Sequence, residues 1–212
     1  MNWFTNIFGT SIGKKLMMAI TGLCFCGFLV IHLTGNLTLY GGKDLFNAYV
    51  EQLHLLDPII IVVQWILLFL AAVHVTTGIT LFYQNLTSRP QRYHVNRNAG
   101  GRTIGSATMP YTGFIILFFI IIHLFDFHFA DRSNQTLFDI VAQTLSRPGY
   151  AAFYIFATIV AAIHISHGFW SAFQTIGASH PKYMPIIKGL GIAFSIIVGI
   201  CFGFIPIYVS II

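Results

Sequence analysis

A chain of 212 residues that is 56% hydrophobic and only 8% charged, with a mean hydropathy of +0.78, carries too few charges and too much apolar surface for a water-soluble domain. The net charge of +5 and pI of about 9.2 would suit a nucleic-acid binder, but the charges are distributed by membrane side rather than as a patch, so no nucleic acid is expected. The three cysteines, Cys24, Cys26 and Cys201, all fall in apolar stretches without Cys-x-x-Cys or Cys-His metal spacing, and read as small packing residues.

The expected fold is an all-α membrane protein, a single domain over residues 1–212. Five apolar stretches, at about 15–39, 58–86, 110–129, 150–175 and 185–211, are each long enough at about 1.5 Å per residue to cross a hydrocarbon core of about 30 Å. The first four are expected to form a four-helix bundle. Trp3, Phe4, Ile7 and Phe8 form a short amphipathic lead along the inner interface. The first span has no small-residue cleavage site and is too long for a signal segment, so it is kept as a permanent span. His32 lies in its outer half, followed one turn later by Gly35-Asn36. In the loop after it, Phe46, Tyr49, Val50 and Leu53 repeat at helical spacing, which predicts a short interfacial helix with Glu51 and His54 at its polar face.

The second span descends from Pro58 and carries His74 in its inner half, with Gly78 one turn on. The loop after it holds Arg89, Arg92, His94, Arg97, Gly100-Gly101 and Arg102 without hydrophobic period. The third span is expected to rise from Pro110 to His123, back in the outer half, with Asp126 and His128 beyond it. A second interfacial helix, capped by Asn134, is expected around Leu137, Ile140 and Val141. In the fourth span Ala157, Ala161, His164, Gly168 and Ser171 share one face, a small-residue strip with an imidazole in it. That face is either a helix-packing groove around a satisfied histidine or one wall of a ligand site. The fifth span has no histidine, is expected to kink at Pro206, and reads as lateral support.

With five spans the termini lie on opposite sides. Lys14, Lys15, Arg89, Arg92, Arg97, Arg102, Lys182 and Lys188 fall on one side, against Lys43, Arg132 and Arg147 on the other. Eight basic residues against three put the N-terminus in the cytoplasm, and all six acids belong to the outer half.

The four mid-span histidines form a pattern: His32 to His74 is 42 residues and His123 to His164 is 41, a weak internal repeat of two helical hairpins. His32 and His123 are level in the outer half on parallel helices, and His74 and His164 are level in the inner half. Parallel helices of an up-down-up-down bundle are diagonal neighbours, so each pair faces across the interior and can supply both axial ligands of a six-coordinate iron. A zinc site would need four ligands at one depth. Without Cys-x-x-Cys-His the two haems would be held non-covalently, as b-type. His167, one turn nearer the cytoplasm than His164, either meets a haem propionate or a quinone headgroup or is a polar interface residue; His94 and His180 read as solvated.

The run Ser11-Ile12-Gly13-Lys14-Lys15, then Thr21-Gly22 and His32-Leu33-Thr34-Gly35-Asn36-Leu37, resembles the opening of the single-subunit, five-helix dihaem cytochrome b anchors of succinate dehydrogenases and fumarate reductases. The run from His164 to Gly177 resembles their fourth helix, and the likeness extends across all five spans. The resemblance implies that His32 and His123 ligate the distal haem iron and His74 and His164 the proximal one. It also implies a flavoprotein with FAD and an iron-sulfur protein on the cytoplasmic face, menaquinone or a related quinone in the lipid, and a bacterial cytoplasmic membrane. A dimer of the whole complex is compatible with it. Some members have a carboxylate beside the fourth-span ligand, where this chain has Ala161 and Ala162.

Three functions compete at this level. The expected one is an electron-transfer anchor between quinone and a soluble succinate dehydrogenase or fumarate reductase pair, not itself catalytic toward succinate or fumarate. The others are the dihaem anchor of another quinone-linked dehydrogenase and a transporter with a histidine relay. Glu51, His54, Asp126 and His128, near the outer haem, are the expected proton-handling groups of a quinone site, because quinone chemistry moves protons at a wet interface.

Overall fold

The computed structural model describes residues 9–88 and 103–211. The amphipathic lead at Trp3, Phe4, Ile7 and Phe8, and the loop residues Arg89, Arg92, His94, Arg97, Gly100, Gly101 and Arg102, lie outside the described residues.

Helix α1 spans Ser11–Asn36 and opens on Thr10, whose Oγ1 accepts the Gly13 N–H at 3.0 Å. It tightens into a 3₁₀ turn over Leu37–Gly41, and Gly42 (φ 87°) turns the chain into α2, Lys43–His54. The long α3 covers Asp57–Thr87 with Pro58 in its first turn, where a missing N–H costs nothing. Helix α4 is Ile104–His123 and runs on as a π turn through Leu124–His128. The second short helix, α5, is Leu137–Leu145; α6 is Pro148–Thr175 and α7 is Met184–Val209. Five of these helices are long and apolar enough to cross a membrane, and their exposed faces carry residues such as Ile59, Trp65, Phe69, Phe118 and Ile200. Large apolar side chains facing outward on several helices at once fit a lipid surround and not water. Among the described residues the protein is all-helical, and its five long apolar helices are those of a multi-pass membrane protein by length and composition.

Two expectations about element ends are corrected. Helix α4 starts at Ile104 rather than Pro110, because Thr103 and Ser106 form a reciprocal capping box that nucleates the helix two turns earlier. Pro110 then sits inside the helix, removing one bond to the Ser106 carbonyl, a loss that spans tolerate. The cap of α5 is Thr136 rather than Asn134: its Oγ1 accepts the Asp139 N–H at 3.3 Å while Asp139 Oδ2 takes the Thr136 N–H at 3.2 Å. Helix α7 carries Pro206 in its last turn, buried, and ends at Val209.

Packing orders the long helices. α1 lies against α3 and α6, α6 against α1, α4 and α7, and α3 touches α4. That ring makes α1 and α4 one diagonal of a four-helix arrangement and α3 and α6 the other. α7 braces α6 from outside, with Gly199 and Gly203 bringing its backbone against Ala162 and Thr158. The short helices cap one end, here called outer. Phe46 from α2 and Phe138, Val141 and Leu145 from α5 pack with Leu39, Tyr154, Ile205 and Val209 into the largest buried cluster. Lys43 ties α2 to Asp139 of α5 at 2.7 Å. Tyr49 lays its phenol end on Gly35, where any Cβ would overlap it, which gives the Gly35-Asn36 pair a structural reason. Along two of the long helices burial is much thinner: Thr77 is the buried residue of α3, and Thr112 that of α4.

Candidate functional site: two histidine pairs between four helices

The outer pair is in direct juxtaposition. The His32 and His123 rings have centroids 5.9 Å apart and planes at 89°. His32 comes from the last turns of α1 and His123 is the last α-helical residue of α4, at the start of the π turn. Such turns re-aim side chains where a regular helix would not. Aromatic rings enclose the pair: Phe28 stacks on His32 at 5.2 Å, Phe202 approaches it at 5.6 Å, and Phe119, Phe127 and Tyr154 lie 5.5, 5.2 and 6.1 Å from His123. Within this cage His123 Nδ1 is buried without a hydrogen-bond partner, a cost of about 1–3 kcal/mol that calls for a partner.

The inner pair is held through hydroxyls. Thr21 of α1 lies 2.8 Å from His74 Nδ1, and Thr112 of α4 lies 2.9 Å from His164 Nδ1. Both threonines are buried and both also bond carbonyls of their own helix, Thr21 to Met17 at 2.7 Å and Thr112 to Thr108 and Met109 at 3.1 Å. A Cβ placed on Gly22 would stand 3.5 Å from His74 Cε1, and one on Gly113 would stand 3.6 Å from His164 Cε1. Met18 reaches over Gly78 as Met109 reaches over Gly168. His164 lies within electrostatic range of both His74 and His167.

These contacts reveal what the histidine spacing alone does not. Thr112 went unremarked in the sequence, and Thr21 entered only as part of the family-like opening. The signal that finds both is a repeated Met-x-x-Thr-Gly followed by nine residues and His, at Met18 to His32 and again at Met109 to His123. Its counterpart, His-x-x-x-Gly, occurs at His74 and at His164. The two hairpins run in the same sense, so they relate as parallel repeats about an axis along the bundle. Eleven residues separate Thr21 from His32 and Thr112 from His123, three helical turns on one face and about 16 Å of rise. Each of α1 and α4 thus serves the inner pair with a threonine and the outer pair with a histidine.

The remaining candidate residues divide between places. Glu51 and His54 line a cavity of about 190 Å³ with Asn47, Arg132, Gln135 and Thr136, between α2 and the start of α5. His54 also meets Asp57 at 3.1 Å. Asp126, on the π turn, instead accepts a 2.7 Å hydrogen bond from Tyr154, one of the rings around His123. His128 is exposed against Phe129. At the other end His167 contacts Thr103 Oγ1 at 3.2 Å, meets the Trp170 ring at 4.8 Å, and lines a cavity of about 270 Å³ with Gly105, Ser166 and Ile192. Gly105 admits this approach, since a Cβ there would stand 2.7 Å from His167 Cβ. His180 accepts the Lys182 N–H in the loop before α7.

The donor set consists of paired imidazoles. Among the described residues no group of three or more His, Cys, Asp or Glu is placed to hold a metal ion, so the histidines form pairs and not a closed cage. His32 and His123, with ring centroids 5.9 Å apart, are the residues that would hold a metal-centred group at the outer end. No family model matches the chain, and neither a curated protein nor a solved structure matches it.

Proposed function

We propose that the chain is the membrane-anchor cytochrome b subunit of a succinate:quinone oxidoreductase, carrying two b haems between membrane quinone and a soluble flavoprotein and iron-sulfur pair. The observation that carries this reading is the arrangement of four histidines as two pairs at two depths between four helices, with both inner rings bonded through Nδ1. His32 and His123 would hold the outer haem and His74 and His164 the inner one. Haem, when bound, supplies one-electron redox chemistry. The chain's own part would be to supply the histidine nitrogens that hold the group, to exclude water with the aromatic rings around the outer pair, and to keep the two sites apart along α1 and α4. The soluble FAD and iron-sulfur subunits would dock on a cytoplasmic face, with menaquinone or a related quinone as membrane substrate in a bacterial cytoplasmic membrane and the N-terminus inside. These partners rest on the sequence resemblance.

For quinone, the outer end offers proton-handling groups: Glu51 and His54 share the cavity between α2 and α5, while Asp126 is coupled through Tyr154 to the His123 cage and His128 is exposed nearby in the chain. A histidine relay is the less favoured reading. The hydrogen bonds of His74 and His164 run into threonines already bonded to their own helices, which ends a proton path rather than extending it.

Purification of the full chain with its partners tests the proposal. Reduced-minus-oxidised spectra and a haem count are expected to give two b haems per polypeptide, and the co-purifying subunits are expected to carry FAD and iron-sulfur clusters. A haem-free chain would overturn the cytochrome reading. Two haems with other soluble partners would make it the anchor of another dehydrogenase.

A further inference from the structure

We propose that Thr21 and Thr112 are positioning residues that lock His74 and His164 in the Nδ1–H tautomer, so that both rings offer a bare Nε2 to one shared metal-centred ligand. This rests on the haem reading above and assigns the residues that prepare its inner site.

The argument follows from which atoms can donate. A backbone carbonyl only accepts, so the 2.7 Å contact between Thr21 Oγ1 and the Met17 carbonyl requires the hydroxyl proton to lie between them. The same hydroxyl meets His74 Nδ1 at 2.8 Å, and with its own proton committed it can only accept there. The ring must therefore donate from Nδ1. Neutral imidazole has one N–H, which leaves Nε2 with a free lone pair, the form that binds a metal. Thr112 is placed likewise, its hydroxyl 3.1 Å from the Thr108 and Met109 carbonyls and 2.9 Å from His164 Nδ1, so the assignment at His164 follows from its equivalence to His74 in the repeat. The residue after each threonine is glycine, and it brings the helix under the ring edge at Cε1, the atom between the two nitrogens. One helical turn thus supplies both the hydroxyl that orients the ring and the floor on which it rests. The device occurs at equivalent positions of the two repeats, so it prepares two ligands alike. His123, whose Nδ1 is buried and unpartnered, has no such hydroxyl.

The test uses the full chain with Thr21→Val and Thr112→Val, which keep the shape and remove the acceptor, and Thr21→Ser and Thr112→Ser, which restore it. Loss of a partner that orients a metal-bound histidine typically costs about 10- to 100-fold in metal affinity. Each valine variant is expected to lose inner-haem affinity on that scale. The midpoint potential of one haem component should also move to more positive values, because the ligand becomes less basic, while the other component stays in place. The serine variants are expected to return both properties to wild type. Independently of haem, nitrogen-15 histidine spectra of the haem-free chain should show His74 and His164 as Nδ1–H tautomers in wild type, and should lose that signature at His74 in Thr21→Val and at His164 in Thr112→Val. Nε2–H tautomers in the wild type, or valine variants with unchanged haem affinity and potential, would sink the lock while leaving a haem protein standing. If the wild type takes up no haem, the functional reading fails and the nitrogen-15 spectra alone decide the lock.

Discussion

The inner and outer histidine pairs stand on the same four helices but are held by different means. His74 and His164 each have a hydroxyl and a glycine floor, contributed by the helix beside them. His32 and His123 have neither. They sit in a wall of phenylalanines and Tyr154, in edge and stacked contacts that fix ring position by shape while leaving a buried nitrogen unpaired. A hydroxyl partner specifies which nitrogen is free, whereas an aromatic wall specifies only where the ring lies. The inner pair is therefore defined chemically and the outer pair sterically. Only the outer pair is also linked to a carboxylate, through Tyr154 and Asp126.

The most severe way to probe the contrast is to remove the rings. His74→Ala or His164→Ala is expected to eliminate the inner haem, and His32→Ala or His123→Ala the outer, each read as loss of one of two components in redox-resolved optical spectra. If His74→Ala and His123→Ala deleted the same component, the pairing would be wrong.

Changing the glycine floor should act on the inner pair alone. Since a Cβ at Gly22 or Gly113 would make ordinary contact with the ring at 3.5 and 3.6 Å, alanine is expected to be tolerated. Gly22→Leu or Gly113→Leu would drive its branched end into the imidazole, at the 1–3 kcal/mol typical of overpacking. The expected result is about tenfold lower inner-haem occupancy for leucine with the outer haem unaffected; equal loss of both would mean general unfolding.

At the outer pair, Tyr154→Phe removes the donor to Asp126 while preserving the ring against His123. A lost hydrogen bond to a charged group predicts a cost of about 1.5–3 kcal/mol in stability. Thermal unfolding should show that drop, and the outer haem spectrum alone should shift. An unchanged outer spectrum would separate Asp126 from the outer site.

The smallest effect is expected at the cap. The Lys43 ammonium, and after it the Thr136 hydroxyl, hold the Asp139 carboxyl below the usual carboxylate range. A lowered folded-state pKa stabilises above the unfolded value, about 3.9, and that contribution disappears as pH falls through the lower folded value. Melting of the cap should thus be insensitive to pH near neutrality and decline only in acid. Asp139→Asn is expected to abolish the acid-dependent part and to leave both haem spectra unchanged. Because the pair is solvent-exposed, the shift will be modest.

What the sequence determined by itself is whatever depends on one helix at a time. Hydrophobic length sets the five spans, and helical rise sets the order of His32, His74, His123 and His164 along them, because both are one-dimensional quantities. The short helices at the outer end follow in the same way from their apolar period. Helix ends were less legible at Thr103 and Thr136, where reciprocal capping outweighed the nearby Pro110 and Asn134. Tertiary structure alone decided how each helix is turned about its axis, and with it every contact between residues far apart in the chain. Thr21 meets His74 across 53 residues, Thr112 meets His164 across 52, and Tyr154 reaches Asp126 across 28. Rotating a helix by one residue swings a side chain by about 100° without changing its depth, so spacing could place the histidines at their levels but could not name the hydroxyls that orient them.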